Sequence, residues 1–288
     1  MIRLLEADFI RLFKNKTAYI TFGIFTLLTA TLNFYIIKSG GNFTLSTNIL
    51  RTYSLAVMIP FFTLIPVCSF IGEDFESGTM RNKVSGGVRR TDIFFSKYIV
   101  CIWFVTAFFL VVFAAAVITA VIFKLRFLAL LFFGLCAYVA VCAVCALTVT
   151  ISFICGRKTT SLIASFAVCA ALLLSASAYT LFIAEPVYNG DVIHESVYVD
   201  GKLIEYGDYS DPEMSIEDIA IRVNPISFFG ELIFYSHNFG DDHETFAKEV
   251  FSLTNYAYRS ATYPCFSGAF WAISILLGYT VFRKKELL

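Results

Sequence analysis

Six long apolar runs, broken by polar stretches, set the plan of this chain. They cover roughly Tyr19–Ile37, Thr52–Ile71, Tyr98–Phe123, Phe127–Ile154, Thr160–Ala184 and Pro264–Phe282. Each is at least about 19 residues long, and a helix needs about 20 residues to cross the hydrocarbon of a bilayer. The runs are continuously apolar and lack the alternation of a barrel strand, so six transmembrane helices are predicted. The third and fourth are longer than a crossing requires, which predicts tilt or protrusion. Only Lys124, Leu125 and Arg126 separate them, as in a tight hairpin.

Residues 1–18 have a different periodicity. At 100° per residue Ile2, Leu5, Phe9, Leu12 and Phe13 share one arc, and Arg3, Arg11 and Lys14 fall opposite. This pattern predicts an interfacial helix with its bases toward anionic lipid. The apolar run that follows is longer than a signal-peptide core, and Ile36–Gly41 shows no small-x-small cleavage pattern. A retained anchor is the expectation.

The second run holds Pro60 and Pro66. Each removes a backbone donor and crowds the preceding turn, so a kinked helix is expected, serving either as a hinge or as a fixed bend.

The polar stretch Gly72–Lys97 is the longest between apolar runs in the first two thirds of the chain. It carries five bases (Arg81, Lys83, Arg89, Arg90, Lys97) and four acids (Glu73, Asp74, Glu76, Asp92). A connector between spans can be very short, so charged and partly helical structure on this scale points to docking by a partner outside the membrane.

Composition agrees with a lipid solvent. The chain is 58% hydrophobic and 15% charged, with a mean hydropathy of +0.74, where a soluble domain is nearer one quarter charged. The zero net charge gives no global field for nucleic acid. Six of the eight cysteines (Cys68, Cys101, Cys136, Cys142, Cys145, Cys169) lie inside apolar runs. That placement fits small core thiols better than a disulfide framework, the Cys142-x-x-Cys145 spacing included.

Charge sets the orientation. With both termini, Gly72–Lys97 and Cys155–Lys158 on one side, that side carries 14 Lys/Arg and the other carries eight. The positive-inside rule then places both termini in the cytoplasm. Residues 185–263 become an outer segment holding 15 acids, four bases and all three histidines (His194, His237, His243). Within it Val197–Tyr206 is expected to form a hairpin around Asp200-Gly201. Asn224-Pro225 is expected to open a helix through Ile226–Tyr235, and Asp241-Asp242 suits the start of another over Thr245–Tyr258. His237, Asp241, Asp242 and His243 match no specific metal-ligand spacing, and a solvated acidic loop is the simpler reading.

The fold class is thus an all-α polytopic membrane protein with a small mixed α/β extracellular segment. Its parts are a cytoplasmic interfacial helix (1–18), spans one to five (19–184), the extracellular segment (185–263) and the sixth span with a cytoplasmic tail (264–288).

The chain contains no GxxxxGK[ST] loop, no GxSxG elbow and no HExxH. Acids and histidines are almost absent from the spans, which leaves a proton relay little to run on. Energy for any transport would have to come from a partner.

At this point Gly72–Lys97 resembles the segment after the second span of type-2 ATP-binding-cassette (ABC) transporter permeases. Asp74 and Glu76 precede Gly78-Thr79, Arg90 matches the family arginine, and Lys97 matches the lysine seven residues on. Gly87 stands where proline is usual, and Arg89 where serine is usual. The span count, inward termini and long connection between the fifth and sixth spans are also similar to that family.

The resemblance implies a coupling helix from about Glu76 to Gly86, ended by Gly86-Gly87 and seated in a separate ATPase subunit. It implies an ATPase-coupling interface of Glu73, Asp74, Glu76, Gly78, Thr79, Arg81, Lys83, Arg90 and Lys97. Arg81 and Lys83 would be docking charges, and the three acids would pair with Arg90, Lys97 or partner bases. It further implies a second permease copy or homologous permease, ATP and magnesium bound by the partner and not by this chain, no catalytic residue here, and a bacterial plasma membrane. The expected function is export of an amphiphilic substrate, such as an antimicrobial or other peptide. The competing reading is a membrane-anchored sensor or scaffold whose outer segment binds a ligand.

Overall fold

The computed structural model describes residues 2–39, 52–122, 127–179, 197–199, 202–204, 223–227, 229 and 256–284. Eight helices are described: α1 (Ile2–Phe13), α2 (Lys16–Ser39), α3 (Ile59–Glu76), α4 (Thr79–Ser85), α5 (Arg90–Ile122), α6 (Phe127–Cys155), α7 (Lys158–Tyr179) and α8 (Tyr256–Lys284). A 3-10 stretch, Leu55–Met58, leads into α3. Six helical segments are long and apolar enough to cross a membrane: Lys16–Lys38, Thr52–Glu76, Arg90–Ile122, Phe133–Cys155, Lys158–Ser177 and Pro264–Lys284.

The six expected spans are therefore present, with shifted ends. The second runs on to Glu76 rather than stopping at Ile71, and the third begins at Arg90 rather than Tyr98. At 1.5 Å per residue α5, with 33 residues, is about 50 Å long, so its charged first turns lie beyond a hydrocarbon layer of about 30 Å. Asp92 in its first turn suits the positive end of the helix dipole. Pro60 occupies the first turn of α3, where its missing N–H costs no hydrogen bond, so it does not interrupt the α-helix as expected. The irregularity is the 3-10 stretch before it. Pro66 does lie inside α3, and both prolines are buried.

α3 is the central helix, packed against α2, α5, α6 and α7, while α8 lies along α6. That last pair approaches closely. A Cβ on Gly278 would come 2.6 Å from Thr150 Oγ1, and the Thr150 hydroxyl donates to the Ser274 carbonyl at 2.7 Å. Small residues at a membrane helix interface let backbones meet in this way. α6 also carries a series of buried alanines (Ala137, Ala140, Ala143, Ala146). Exposed Ile163, Phe166 and Leu174 on α7, and Ile273 and Leu276 on α8, are the faces expected of helices bathed in lipid.

A buried polar knot ties the far end of α2 to α5. Asn33 Nδ2 donates to the Ala115 carbonyl at 3.2 Å, and the Thr119 hydroxyl donates to Asn33 Oδ1 at 2.9 Å. At the opposite end Phe75, Phe94, Phe153 and Phe282 pack ring against ring, joining α3, α5, α6 and α8.

Strands β1 (Val197–Val199) and β2 (Lys202–Ile204) pair antiparallel, with Val199 opposite Lys202. Asn224 Oδ1 accepts the N–H of Ile226 at 3.0 Å, and its amide donates to the Leu172 carbonyl on α7. The expected hairpin of Lys124–Arg126, the acidic loop with His194, His237, Asp241, Asp242 and His243, and most of the helices expected over Ile226–Tyr235 and Thr245–Tyr258 lie outside the described residues. Residues 256–258 are the start of α8, continuous with the sixth span. Cys68, Cys101, Cys136, Cys142, Cys145 and Cys169 are free and buried.

Candidate functional site

One end of the bundle gathers charge. There α1, the last turns of α3, the short α4 and the first turns of α5 meet, joined by the start of α7 and the end of α8. Two glycines shape the local chain path. Gly78, between α3 and α4, has φ +69°, and Gly87, after α4, has φ +84°. A Cβ at either would meet nothing within 4 Å, so the demand is conformational and not steric. A non-glycine residue in the left-handed region costs about 1–2 kcal/mol.

α4 ends in a Schellman motif. The N–H of Val88 reaches the Lys83 carbonyl at 3.1 Å, and that of Gly87 reaches the Val84 carbonyl at 3.0 Å. The Gly86-Gly87 terminator thus forms as expected, with Gly87 taking the left-handed position. The helix itself is shorter than the expected Glu76–Gly86 span. Glu76 belongs to α3, and Gly78 separates the two helices.

α4 has two faces. Met80 is buried, and Val84 packs against the core. Arg81, Asn82 and Ser85 are exposed. Lys83, expected to be a docking charge, turns inward instead. Its ammonium lies 3.1 Å from Asp8 Oδ1 and 3.3 Å from Asp74 Oδ2.

Those two carboxylates are the centre of the site. The Lys97 ammonium lies 2.8 Å from Asp74 Oδ2 and 3.2 Å from Asp8 Oδ1, and 3.4 Å from the centroid of the Phe70 ring. Lys97 and Asp74 are fully buried, and Asp8 nearly so. Arg11 pairs with Asp74 Oδ1, and the Ser96 hydroxyl donates to Asp8 Oδ2 at 2.9 Å. Five charges from α1, α3, α4 and α5 therefore share one cluster of three bases and two acids, buried at Asp8, Asp74 and Lys97 and open at Arg11. Burying charge is costly unless each charge is paired, and removing one partner of such a pair typically costs about 3–5 kcal/mol. The cluster therefore resists sliding of any one of these four elements against the others.

A second set of contacts ties in α7 and α8. Glu76 accepts the N–H of Lys158 at 2.9 Å, supplying a carboxylate cap to the first turn of α7, where negative charge is favoured. Glu73 Oε1 accepts from the Lys158 ammonium at 3.2 Å and from Ser69 at 2.7 Å. Gly72 makes room for this crossing, since a Cβ there would lie 2.6 Å from Lys158 Cα. The Arg90 guanidinium donates to the Arg283 carbonyl at 2.9 Å, satisfying a carbonyl at the end of α8.

The candidate residues thus separate into groups. Asp74, Lys83 and Lys97 come together in the buried cluster. Glu73 and Glu76 go to Lys158, and Arg90 goes to α8, so Lys97 takes Asp74 alone of the three acids. Thr79 bonds Ser77 side chain to side chain at 2.7 Å. Arg81 faces outward.

Asp8, Arg11, Ser96 and Lys158 were not singled out by the sequence. The face of α1 is also rotated from the expected one. Leu12 and Asp8 are buried while Phe9 is exposed, and Arg11 pairs with Asp74. On a helical wheel Asp8 lies about 40° from Leu12. An acid on the flank of the apolar arc was the signal that could have found it. No group of His, Cys, Asp and Glu suited to a metal lies among the described residues.

Six helices long and apolar enough to cross a membrane, with a charged platform built from the second span, the short helix after it and the start of the third, define a polytopic membrane protein. A family model described as ABC-2 family transporter protein matches residues 5–287. The chain belongs to that family and is a permease subunit of an ABC transporter, a class that works with an ATPase partner. No curated protein matches the chain.

Proposed function

We propose that this permease forms the translocation path of an exporter for an amphiphilic substrate, with peptides the leading class, and that a separate ATPase drives it by docking on α4. The observation that carries the reading is the two-faced character of α4. Arg81, Asn82 and Ser85 are presented outward, while Lys83 on the same short helix is bonded into the cluster with Asp8 and Asp74. A push on the outer face passes through charged contacts to α1, α3 and α5 together. Glu73, Glu76 and Arg90 extend the same platform to α7 and α8, and Gly78 and Thr79 set the angle at which α4 leaves the second span.

In this reading both termini and α4 face the cytoplasm, as the 14-to-eight division of Lys/Arg favours. Two permeases act side by side, as a homodimer or with a homologous chain, and ATP and magnesium are bound by the partner. The acidic segment 185–263 lies outside and steers cationic substrate. Pro66, inside α3, is the bend about which the second span moves, and Pro60 fixes where its α-helix begins.

Reconstitution tests the proposal. The permease should show no ATP hydrolysis alone. With its ATPase partner added, hydrolysis should be stimulated by an amphiphilic peptide, and Arg81→Glu should lose that stimulation. Stimulation by peptide that Arg81→Glu leaves intact would contradict docking on α4.

A further inference from the structure

We infer that the cleft between α1 and α3 is a binding site for the headgroup of a phosphoethanolamine lipid. A cavity of about 420 Å³ opens there, lined by Ala7, Ile10, Arg11, Lys14, Asn15, Phe70 and Glu73. Its size falls within the range of small-molecule sites, about 300–1,000 Å³. The lining is neither apolar nor of one charge, and each part matches a part of that headgroup.

Lys14 is exposed at the end of α1, and Arg11 offers N–H groups beyond the one given to Asp74. A guanidinium has five donors, so it holds a carboxylate and still meets a phosphate oxygen. Asn15 uses its carbonyl oxygen to cap α2 through the N–H of Thr17, which leaves its NH2 group as the donor for an anion. These three groups suit a phosphate.

Glu73 has the opposite chemistry. Its two bonds, from Ser69 and Lys158, both fall on Oε1, so Oε2 is the oxygen left to accept from a primary ammonium. A purely anionic headgroup would meet this carboxylate unfavourably. Phosphocholine has no N–H to give it. Phosphoethanolamine satisfies both ends.

The depth is also right. Ile10 and Lys14 line the cleft, and the neighbouring Phe9 on α1 and Lys16, Tyr19 and Ile20 at the start of α2 are exposed. Apolar surface next to a basic rim marks the boundary between acyl chains and headgroups, and basic pockets between helices at that boundary bind lipid headgroups. A lipid seated here would touch Arg11, and through it Asp74, so occupancy would brace the buried cluster.

The test uses the full-length chain, purified in mild detergent and stripped of lipid. Native mass spectrometry and thermal unfolding are followed with short-chain phosphatidylethanolamine, phosphatidylcholine, phosphatidylglycerol and inorganic phosphate. One charge-assisted hydrogen bond is worth about 1.5–3 kcal/mol, so phosphatidylethanolamine should bind about tenfold or more tighter than phosphatidylcholine. Bound lipid should also raise Tm. Glu73→Gln should abolish that preference, and Lys14→Glu should weaken both lipids. Because Glu73→Gln also disturbs α7, the exposed Lys14 variant decides the matter should the first fail to fold. Equal binding of all three lipids, preference for phosphatidylglycerol, binding of phosphate without lipid, or insensitivity to Lys14→Glu would each overturn the assignment.

Discussion

The Lys97 ammonium lies 2.8 Å from Asp74 Oδ2 with both side chains fully buried, so the second and third spans are joined at their charged ends by an ion pair shielded from water. Lys83, Arg11 and Asp8 complete the cluster, in which each carboxylate is shared by at least two bases, so loss of either acid leaves buried positive charge without its counter-ion. Lys97→Met is expected to lower stability by about 3–5 kcal/mol. Asp74→Asn should be similarly harmful, and the double variant should lose less than the sum, because either single change already removes the contact between the two. Thermal unfolding of the four proteins in detergent measures the coupling; strict additivity would mean that the pair is energetically silent.

Asp8 carries the same argument to α1. Asp8→Asn removes the counter-charge of Lys83 and Lys97 while keeping shape. The expected outcome is loosened docking of α1 and α4, read as faster hydrogen exchange in both, with the six spans intact. Unchanged exchange in α4 would show that Asp8 holds α1 alone.

Gly78 and Gly72 are required for different reasons, and the difference is measurable. Gly78→Ala meets open space but adopts φ +69°, so a cost of about 1–2 kcal/mol and an intact bundle are expected. Gly72→Val puts a side chain within 2.6 Å of the Lys158 backbone, so α7 must move. A larger drop in Tm is expected for Gly72→Val, with Lys158 released from Glu73 and Glu76.

Arg81 separates stability from coupling. It is exposed and lies outside the cluster, so Arg81→Ala should leave unfolding free energy within about 0.5 kcal/mol of the parent. Its association with the ATPase, measured by co-purification at rising salt, should weaken. Loss of folding would instead place Arg81 among the structural charges.

The spans were legible because lipid leaves few options: a continuous apolar run of about 20 residues must be helical. Their polar ends were less so. Arg90–Lys97 include three charges and fall outside an apolar run, yet they continue the helix of the third span, since Lys97 is ion-paired with Asp8 and Asp74 and Ser96 is hydrogen-bonded to Asp8 on other elements. The glycine terminator of α4, implied by the resemblance, rests on the ease with which glycine takes the left-handed cap. Asp8 does not follow from local chemistry, because its partners lie 75 and 89 positions away, and nothing within α1 says which bases will arrive. Lys83 was misplaced for the same reason. A base on a short amphipathic helix is expected to face outward, unless two buried carboxylates wait beneath it.

Contact between α4 and the ATPase is the most direct test of the account. A photo-cross-linking amino acid placed at Ser85, on the exposed face of α4, should capture the ATPase subunit in intact membranes, and the same group placed at Phe34, on the lipid-facing surface of α2, should not. Failure of Ser85 to capture the ATPase, or labelling of this position by a membrane-impermeant reagent added from outside the cell, would contradict it.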